Sequence, residues 1–356
     1  MRLYVGTYTR PAPYLATTNG KGLHVYDFEP TTGRLTQVQE MGGIENPSYL
    51  CLSPDGRSLH AVWEVLDWPE GLVSSYAVDP SSGTLSYLGV QGTRGSLPCY
   101  VMMDARSRAA LIANYWSGSV ALFPARPDGS LAEATSVDQH TGHGIDPVRQ
   151  DGPHAHCFVL TANDRVAFSA DLGTDEVIGY RVDLEAMTIR RHTSLALPPG
   201  SGPRHLVFAP DGRHAWAVCE LSSTVAALGY DTTSDTLSLI ETYPMLPGDF
   251  TGESHCADIH VHPSGRFVYG SNRGHDSITM FAVDQATGRL RLLGHRSTEG
   301  RTPRNFTIAP DGRSLLVANQ DSDSVVVMPI DQETGMLGAT IAVNEVPTPV
   351  CLRWGR

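Results

Sequence analysis

One short unit recurs along this chain, and its repetition limits the folds that the chain can adopt. The clearest copy runs from Gly200 to Asp231, where a turn at Pro210–Gly212 and a loop at Glu220–Ser223 separate the apolar segments HLVFAP, AWAVC and TVAALGY. Three short apolar segments with turn residues between them predict three β-strands. Variant copies lie on both sides of it, at intervals of roughly fifty residues, a period typical of propellers and repeat arrays.

The copies can be aligned on a proline that precedes or begins the first apolar segment. These anchor residues are Pro47, Pro98, Pro153, Pro203, Pro303 and Pro349, and a further copy begins at Ser254 without a proline. The copy at Pro349 is split, because TPVCLRW begins a unit that MRLYVGTYT and KGLHVYDFE can complete. Closing such sheets into a ring protects the strand edges that each sheet would expose alone.

Recurring hairpin turns, such as the one at Thr31–Arg34, join the third strand of a unit to an outermost fourth strand. The repeat therefore predicts an all-β, seven-bladed β-propeller built from four-stranded antiparallel blades. The closing blade would be shared by the two ends of the chain. Because the repeat occupies the whole sequence, we expect residues 1–356 to form a single propeller domain.

Composition narrows the classes of partner. A formal net charge of −12 disfavours binding to nucleic acid or to an anionic membrane, and no segment is apolar enough to span a bilayer. The first residues enter a strand pattern directly, without the apolar segment of a secretory signal. We therefore expect a cytoplasmic protein, present as a monomer or weak homo-oligomer.

The six cysteines are distributed one to a blade and include no C-x-x-C pair. They are Cys51, Cys99, Cys157, Cys219, Cys256 and Cys351. This spacing predicts small buried thiols rather than a metal site or a disulfide framework. No zinc spacing and no phosphate-binding glycine loop is present, so the sequence predicts no metal and no cofactor.

Two positions of each repeat are expected at the same end of the ring, because the first strand of a hairpin starts beside the end of the second. The position of Arg204 is held in the successive copies by Ser48, Cys99, His156, Arg204, Ala257, Arg304 and Val350. The position of Glu220 is held by Glu64, Tyr115, Leu172, Glu220, Arg273 and Gln320, with Tyr8 as a looser match. A purely structural ring would carry similar small residues at all these places.

The arginines among these residues predict an anion site near the axis. Arg204, Arg273 and Arg304 would converge there, and guanidinium groups match phosphate and carboxylate oxygens in pairs. An alternative remains that the arginines only pair with Glu64 and Glu220 and hold the blades together.

Histidines supply candidates for proton transfer. His154 and His156 lie two residues apart and would point to the same side of an extended segment. A general base or hydrogen-bond donor is the favoured role, since a third metal ligand is not obvious nearby. Tyr115, Gln320, His255 and Asn272 are further candidates for contact with the substrate.

Several motifs together resemble the seven-bladed lactonase family, which contains propeller-type 6-phosphogluconolactonases and fungal carboxymuconate cyclases. They are PHAH, GSGPRH, the segment Cys219–Val225 with Cys219 in place of an asparagine, SNRGHDSI, and TPRNF followed by LLVANQDSDSVVV. The resemblance covers essentially the whole chain. It implies that the functional residues include His156 or His154, Arg204, Glu220 and Arg273.

The resemblance implies hydrolysis of a small anionic sugar lactone, such as 6-phospho-D-glucono-1,5-lactone, without a metal. Arginines would bind the phosphate or polarise the lactone carbonyl, and His156 or Glu220 would accept a proton from water. A carboxymuconate cycloisomerase that forms a lactone is one alternative. A propeller without catalysis, binding sugar acids or protein partners, is another.

Overall fold

The computed structural model describes residues 1–16 and 18–355, and these form seven four-stranded antiparallel sheets. Each sheet is one blade. We number the blades along the chain, and blade one is the closing blade, with strand order β28-β1-β2-β3. Blades two to seven each use four consecutive strands, from β4 to β27. The predicted seven-bladed propeller, and its closure by the two ends of the chain, are confirmed.

The strands are numbered along the chain. The first seven are β1 (Arg2–Thr7), β2 (Leu23–Glu29), β3 (Arg34–Met41), β4 (Pro47–Leu52), β5 (Ser58–Trp63), β6 (Leu72–Val78) and β7 (Leu85–Gly92). The next eight are β8 (Pro98–Met103), β9 (Ala109–Asn114), β10 (Ser119–Pro124), β11 (Ser136–Gln139), β12 (Ala155–Leu160), β13 (Val166–Asp171), β14 (Glu176–Asp183) and β15 (Thr188–Ala196).

The remaining strands follow the same pattern. They are β16 (Pro203–Phe208), β17 (His214–Cys219), β18 (Thr224–Asp231), β19 (Thr236–Pro244), β20 (His255–Val261), β21 (Phe267–Arg273), β22 (Ser277–Val283) and β23 (Leu290–Ser297). The last five are β24 (Pro303–Ile308), β25 (Ser314–Asn319), β26 (Ser324–Pro329), β27 (Ala342–Glu345) and β28 (Pro349–Trp354). A short 3-10 turn covers Gln320–Ser322.

Apolar side chains fill the spaces between neighbouring blades. Tyr269 and Met280 of blade six, for example, belong to the same buried cluster as Val317 and Val326 of blade seven. The two central strands of a blade are therefore apolar on both faces, whereas the outermost strands alternate between buried and exposed residues. Because the faces between blades are apolar, the polar side chains near the axis lie at the ends of the innermost strands.

Every innermost strand contains a β-bulge close to its start. The pairing register shifts there, and the bulge includes Ser48, Cys99, His156, Arg204, Ala257, Arg304 and Val350 in the seven blades. These are the residues that the repeat placed at the position of Arg204. A bulge leaves a residue out of the ladder and redirects its side chain, and bulges are common next to active sites.

A backbone hydrogen bond that recurs from blade to blade fixes the repeat position that Glu220 occupies. In six blades the residue after the second strand donates its N–H to a carbonyl just before the bulge; the donors are Tyr8, Glu64, Tyr115, Leu172, Glu220 and Gln320. Tyr8 is thus the equivalent residue in the closing blade. In blade six, Arg273 is instead paired with His255 within the sheet. Both sets of residues lie at the same end of the ring.

All six cysteines carry free thiols, and five of them are buried, while Cys51 is half-buried. Burial raises the pKa of Cys51 to about 11 and that of Cys157 to about 12. Cys51 and Cys157 therefore stay protonated near neutral pH. In residues 1–16 and 18–355, no helix has the length and apolar composition needed to cross a membrane.

Candidate active site

A cavity of about 640 Å³ opens at the end of the ring where the bulges lie. Residues from all seven blades line it, including Tyr14 and Leu15 from the loop between β1 and β2. The cavity is therefore centred on the propeller axis. Of the predicted site residues, those that line it are Glu64, Tyr115, His156, Glu220, His255, Arg273, Arg304 and Gln320.

Three predicted site residues do not line this cavity. Arg204 lies deeper in the channel, where it borders a small void together with His205 and Asn305. His154 is buried, stacks on the ring of Tyr115 at 4.6 Å and contacts the carbonyl oxygen of Tyr115 through Nδ1 at 3.1 Å. His154 and His156 were expected to point to the same side of an extended segment. Both rings contact Tyr115, but only His156 lines the cavity.

Asn272 is the third, and its environment is that of a structural residue. It is fully buried, and its side-chain amide donates to Ser277 at 3.0 Å and to Thr279 at 2.9 Å. Asn114 and Asn319 end the second strands of blades three and seven, and their amides donate to the carbonyls of Thr93 and Thr298, which follow the outermost strands of the preceding blades. Asn272 likewise donates to the carbonyl of Met245, so these asparagines tie the second strand of a blade to the segment that arrives from the preceding blade.

Glu220 is the centre of the charged cluster. Its Oε1 atom lies 2.6 Å from Nη2 of Arg149, and its Oε2 atom lies 2.9 Å from Nη2 of Arg273 and 3.0 Å from Nε of Arg204. Burial alone would raise the pKa of this carboxyl. The arginines, Arg273 first, outweigh burial and hold the pKa of Glu220 well below its usual range.

Gly202 of the GSGPRH motif allows the segments that carry Arg204 and Glu220 to lie close together. Gly202 has a φ of +60°, and a Cβ added to it would come within 2.5 Å of Leu221. Its carbonyl accepts the N–H of Glu220 at 2.7 Å. A glycine is therefore required for the close approach of the two segments that carry Arg204 and Glu220.

Positive charge exceeds negative charge around Glu220. Burial, followed by the charges of Arg273 and Arg304, lowers the pKa of Arg204 to about 10. One carboxylate is thus shared by three guanidinium groups. The charges of Arg273 and Arg304 lower the pKa of Arg204 by more than the carboxylate of Glu220 raises it. A cluster of this kind is stabilised further by a bound anion.

Glu64 forms a second, separate contact with an arginine. Nη2 of Arg304 donates to both carboxylate oxygens at 3.3 Å, and the phenol of Tyr8 donates to Oε1 at 2.7 Å. The guanidinium of Arg304 also lies over the Tyr8 ring, 5.3 Å from its centroid. Glu64, Tyr8 and Arg304 come from blades two, one and seven, so this contact joins three blades across the mouth of the channel.

His156 lines the cavity in a buried environment. Its ring lies edge-on to Tyr115, with centroids 5.4 Å apart, and its Nδ1 atom is 3.6 Å from the Cys99 sulfur. Burial, followed by the positive charges of Arg204 and His205, holds the pKa of His156 well below its usual value. The imidazole is therefore neutral near pH 7, the form that can accept a proton.

His255 and Gln320 complete the predicted set at the rim. His255 contacts the exposed carboxylate of Glu253 through Nε2 at 3.1 Å. Gln320 is buried and donates to Asp321 at 3.0 Å. Asp321 and Glu253 also line the rim, so the cavity entrance carries negative charge while the interior carries the arginines.

Sequence reasoning missed Arg149, which lies in the long loop before the PHAH segment. The loop between β11 and β12 directs Arg149 into the cavity, where it reaches Glu220. Its place outside the repeat explains the omission. The length of the loop was a usable signal, because long loops in compact folds often carry function.

Within the part of the chain that the structure describes, no group of three or more His, Cys, Asp or Glu side chains is arranged to hold a metal ion. The side chains that converge in the cavity present guanidinium groups, carboxylates, and the imidazoles of His156 and His255, of which buried His156 is neutral. This set can bind an anion, stabilise a developing oxyanion and accept a proton from water.

Comparison with known proteins agrees with the motifs. The family described as lactonase, 7-bladed beta-propeller, matches residues 2–354. A 6-phosphogluconolactonase from Bacillus subtilis is 35% identical over 351 residues, which cover 99% of this chain and 97% of that protein. A 6-phosphogluconolactonase from Formosa agariphila is 34% identical, with 86% of both chains covered.

A solved structure extends the comparison to three dimensions. The periplasmic gluconolactonase PpgL from Pseudomonas aeruginosa has a TM-score of 0.90 and 35% identity, and the match covers 99% of this chain and 98% of that one. The resemblance inferred from the sequence motifs is confirmed. On the evidence of its fold, its motifs and these relatives, the chain belongs to the seven-bladed β-propeller lactonase family.

Proposed function

We propose that this protein is a carboxylic ester hydrolase that opens a sugar lactone, and that its substrate is 6-phospho-D-glucono-1,5-lactone, converted to 6-phosphogluconate. The observation that carries the proposal is the excess of guanidinium groups around Glu220 in a cavity that also contains neutral His156. The names of the relatives from Bacillus subtilis and Formosa agariphila support the choice of substrate.

Arg273 and Arg304 are the arginines that we assign to the substrate's oxygens. Both line the cavity, and their side chains are 18% and 13% exposed, whereas Arg204 is 2% exposed. Arg204 donates to the carbonyl oxygen of Ala257 and contacts Glu220. Arg204 would therefore act as a positioning residue that fixes Glu220 and, through it, Arg273.

His156 is the residue that we assign as general base. Glu220 accepts contacts from three arginines, which lowers its affinity for a proton, so it suits the role of organising those arginines. His156 faces the cavity as a neutral imidazole. When an anionic substrate offsets the nearby positive charge, the pKa of His156 would rise toward neutral and its strength as a base would increase.

The reaction then proceeds in two balanced steps. His156 accepts a proton from water as the water oxygen bonds to the lactone carbonyl carbon, and the arginines stabilise the oxyanion that forms. The tetrahedral intermediate then collapses, the bond from the carbonyl carbon to the ring oxygen breaks, and protonated His156 gives its proton to that oxygen. The product is the open-chain acid, released as a carboxylate.

The setting that we propose is a single domain in the cytoplasm. Six free thiols fit a reducing compartment. Fractionation of cells that produce the protein at its natural level, with a periplasmic and a cytoplasmic marker enzyme, tests the location.

Incubation of the purified protein with each candidate substrate tests the activity. We expect rapid acid release from the phosphorylated lactone, measured at a pH where spontaneous hydrolysis is slow. Carboxymuconate, followed by loss of its diene absorbance, should remain unchanged. Turnover of carboxymuconate without lactone hydrolysis would replace the proposal with the cycloisomerase, and turnover of neither would leave a binding protein.

A further inference from the structure

We propose that Arg149 binds the substrate's phosphate and makes the site selective for phosphorylated over neutral lactones. This inference rests on the proposed lactonase function and adds the residue that distinguishes between two substrate classes. The relatives make the distinction relevant, since one is named a 6-phosphogluconolactonase and another a gluconolactonase.

Arg149 is the most accessible arginine in contact with Glu220. Its side chain is 35% exposed, compared with 18% for Arg273 and 2% for Arg204. Arg273 and Arg204 also contact backbone carbonyl oxygens, of Cys256 and Ala257. Arg149 contacts the side chains of Glu220 and Tyr115. An entering anion can therefore reach Arg149 more easily than the deeper groups.

Arg149 and Arg273 lie on different oxygens of the same carboxylate. Arg149 contacts Oε1 of Glu220, and Arg273 contacts Oε2. A phosphorylated sugar lactone has two oxygen-rich groups that need such partners, the phosphate at one end and the carbonyl at the other. Arg273, closer to the deep channel, suits the carbonyl oxygen, and Arg149, near the opening, suits the phosphate.

The loop holds Arg149 in place by its backbone while leaving the side chain accessible. Asp146 accepts the backbone N–H of Arg149 at 3.0 Å and that of Val148 at 2.9 Å. The next residue, Gln150, is buried and donates to the carbonyl of Leu172 and to Asp175, each at 2.8 Å. This anchoring reduces the entropy lost when a phosphate is bound, because the backbone is already ordered.

Exchange of partners would accompany binding. Arg149 contacts Glu220, and a phosphate would take over part of its donors while Glu220 keeps Arg204 and Arg273. The position of Arg149 outside the repeat is consistent with a role in specificity, because a loop residue can change without altering the bulges that hold the rest of the site.

The test compares Arg149→Gln with the wild type on two lactones, 6-phosphoglucono-1,5-lactone and glucono-1,5-lactone. We expect the variant to raise KM for the phosphorylated lactone by at least about tenfold, and to lose at least about tenfold more kcat/KM on that substrate than on the neutral one. Arg149→Lys, which keeps the charge but not the fork, should recover part of the loss. Arg190→Gln, a change at an exposed arginine of β15, is the matched control.

Binding measurements separate this inference from the proposed function. Calorimetry with 6-phosphogluconate and with gluconate needs no turnover, and Arg149→Gln should weaken only the first. If the wild type hydrolyses neither lactone, the proposed function is wrong, and the binding result still decides the role of Arg149. Equal losses on both lactones, or equal binding of 6-phosphogluconate by variant and wild type, would overturn the inference. Thermal melting of both Arg149 variants shows whether the fold persists.

Discussion

The Nε atom of Arg204 lies 3.0 Å from Oε2 of Glu220, and both side chains are at most 5% exposed. Arg204 leaves the ladder at the bulge of β16, and Glu220 follows the end of β17. The two positions that the repeat brings to one end of the ring thus hold each other there. A buried ion pair is weak evidence of stability, but removal of one partner leaves a buried charge without compensation.

Replacement of Glu220 by glutamine should therefore reduce both stability and activity. The amide keeps the shape of the side chain, but three guanidinium groups would face one another without the carboxylate that they share. We expect the free energy of unfolding to fall by about 3–5 kcal/mol. Urea denaturation measures the loss. Glu185→Gln is the control, since Glu185 is 89% exposed and pairs with Arg108 at the surface.

Arg204→Lys and Arg273→Lys should have different effects. Arg204 is buried, its Nε atom lies 3.0 Å from Glu220, and its Nη1 atom donates to the carbonyl of Ala257. The single ammonium group of lysine cannot reproduce both contacts. We expect Arg204→Lys to lower the melting temperature and activity together. Arg273 is 18% exposed, so Arg273→Lys should melt within a few degrees of the wild type.

Arg273→Lys should nevertheless lose activity. Without the guanidinium fork of Arg273, kcat/KM should fall at least about tenfold, equivalent to about 1.4 kcal/mol of transition-state stabilisation. Steady-state kinetics and thermal melting of the same preparations provide the comparison. Wild-type activity in Arg273→Lys would show that Arg273 only joins blades, which was the alternative left open by the sequence.

The repeat made much of this fold predictable. Its spacing specifies seven blades, and the equivalent residues of each copy identify the ends of strands that meet at the axis. The bulges explain why the repeat brings Arg204, His156 and Arg304 to the same end of the ring. A residue left out of the ladder in every blade is turned toward the same region. The same repeat led to Tyr8, which is hydrogen-bonded to Glu64.

Two features could not be derived from the repeat. The depth of a bulged side chain depends on its neighbours. Arg204, expected to converge with Arg273 and Arg304 near the axis, therefore lies below the cavity beside His205. Arg149 has no counterpart in the other copies, because its loop is an insertion. The direction of a side chain from a long loop depends on contacts that lie far apart in sequence, such as that of Gln150 with Asp175.

Acidification should destabilise the protein below about pH 6.5. Burial lowers the pKa of His60 to about 4, and burial with Arg204 nearby lowers that of His205 to about 4. In the unfolded chain a histidine has a pKa near 6.5. Between these values the unfolded state binds protons that the folded state does not. The stability from each histidine is therefore complete above pH 6.5 and is lost as the pH falls toward 4.

The shift at His60 should contribute about 3 kcal/mol to the loss. His205, whose Nδ1 lies 2.8 Å from Asp258, should add to it in the same direction. Urea midpoints measured from pH 7.5 to pH 4.5 follow the change. His60→Gln can keep hydrogen bonds to Ser58 and Ser75 but does not titrate, so its stability should depend less on pH. His192→Gln, at an exposed position, should match the wild-type slope. A wild-type midpoint that stays constant over this range would contradict the prediction.

The identity of the general base is decided by comparing pH profiles of His156→Gln and Glu220→Gln. If His156 is the base, kcat of His156→Gln should fall by about 10²–10⁴-fold. In the wild type the acid limb of kcat/KM should lie below pH 6.5, because burial and the charge of Arg204 depress the pKa of His156 in the free enzyme. The acid limb of kcat should lie at higher pH, because the bound anion offsets part of that charge.

Glu220→Gln should retain an acid limb, whereas His156→Gln should lose it. The reverse result, with the limb lost in Glu220→Gln and retained in His156→Gln, would assign the base to Glu220 and leave His156 as a positioning residue.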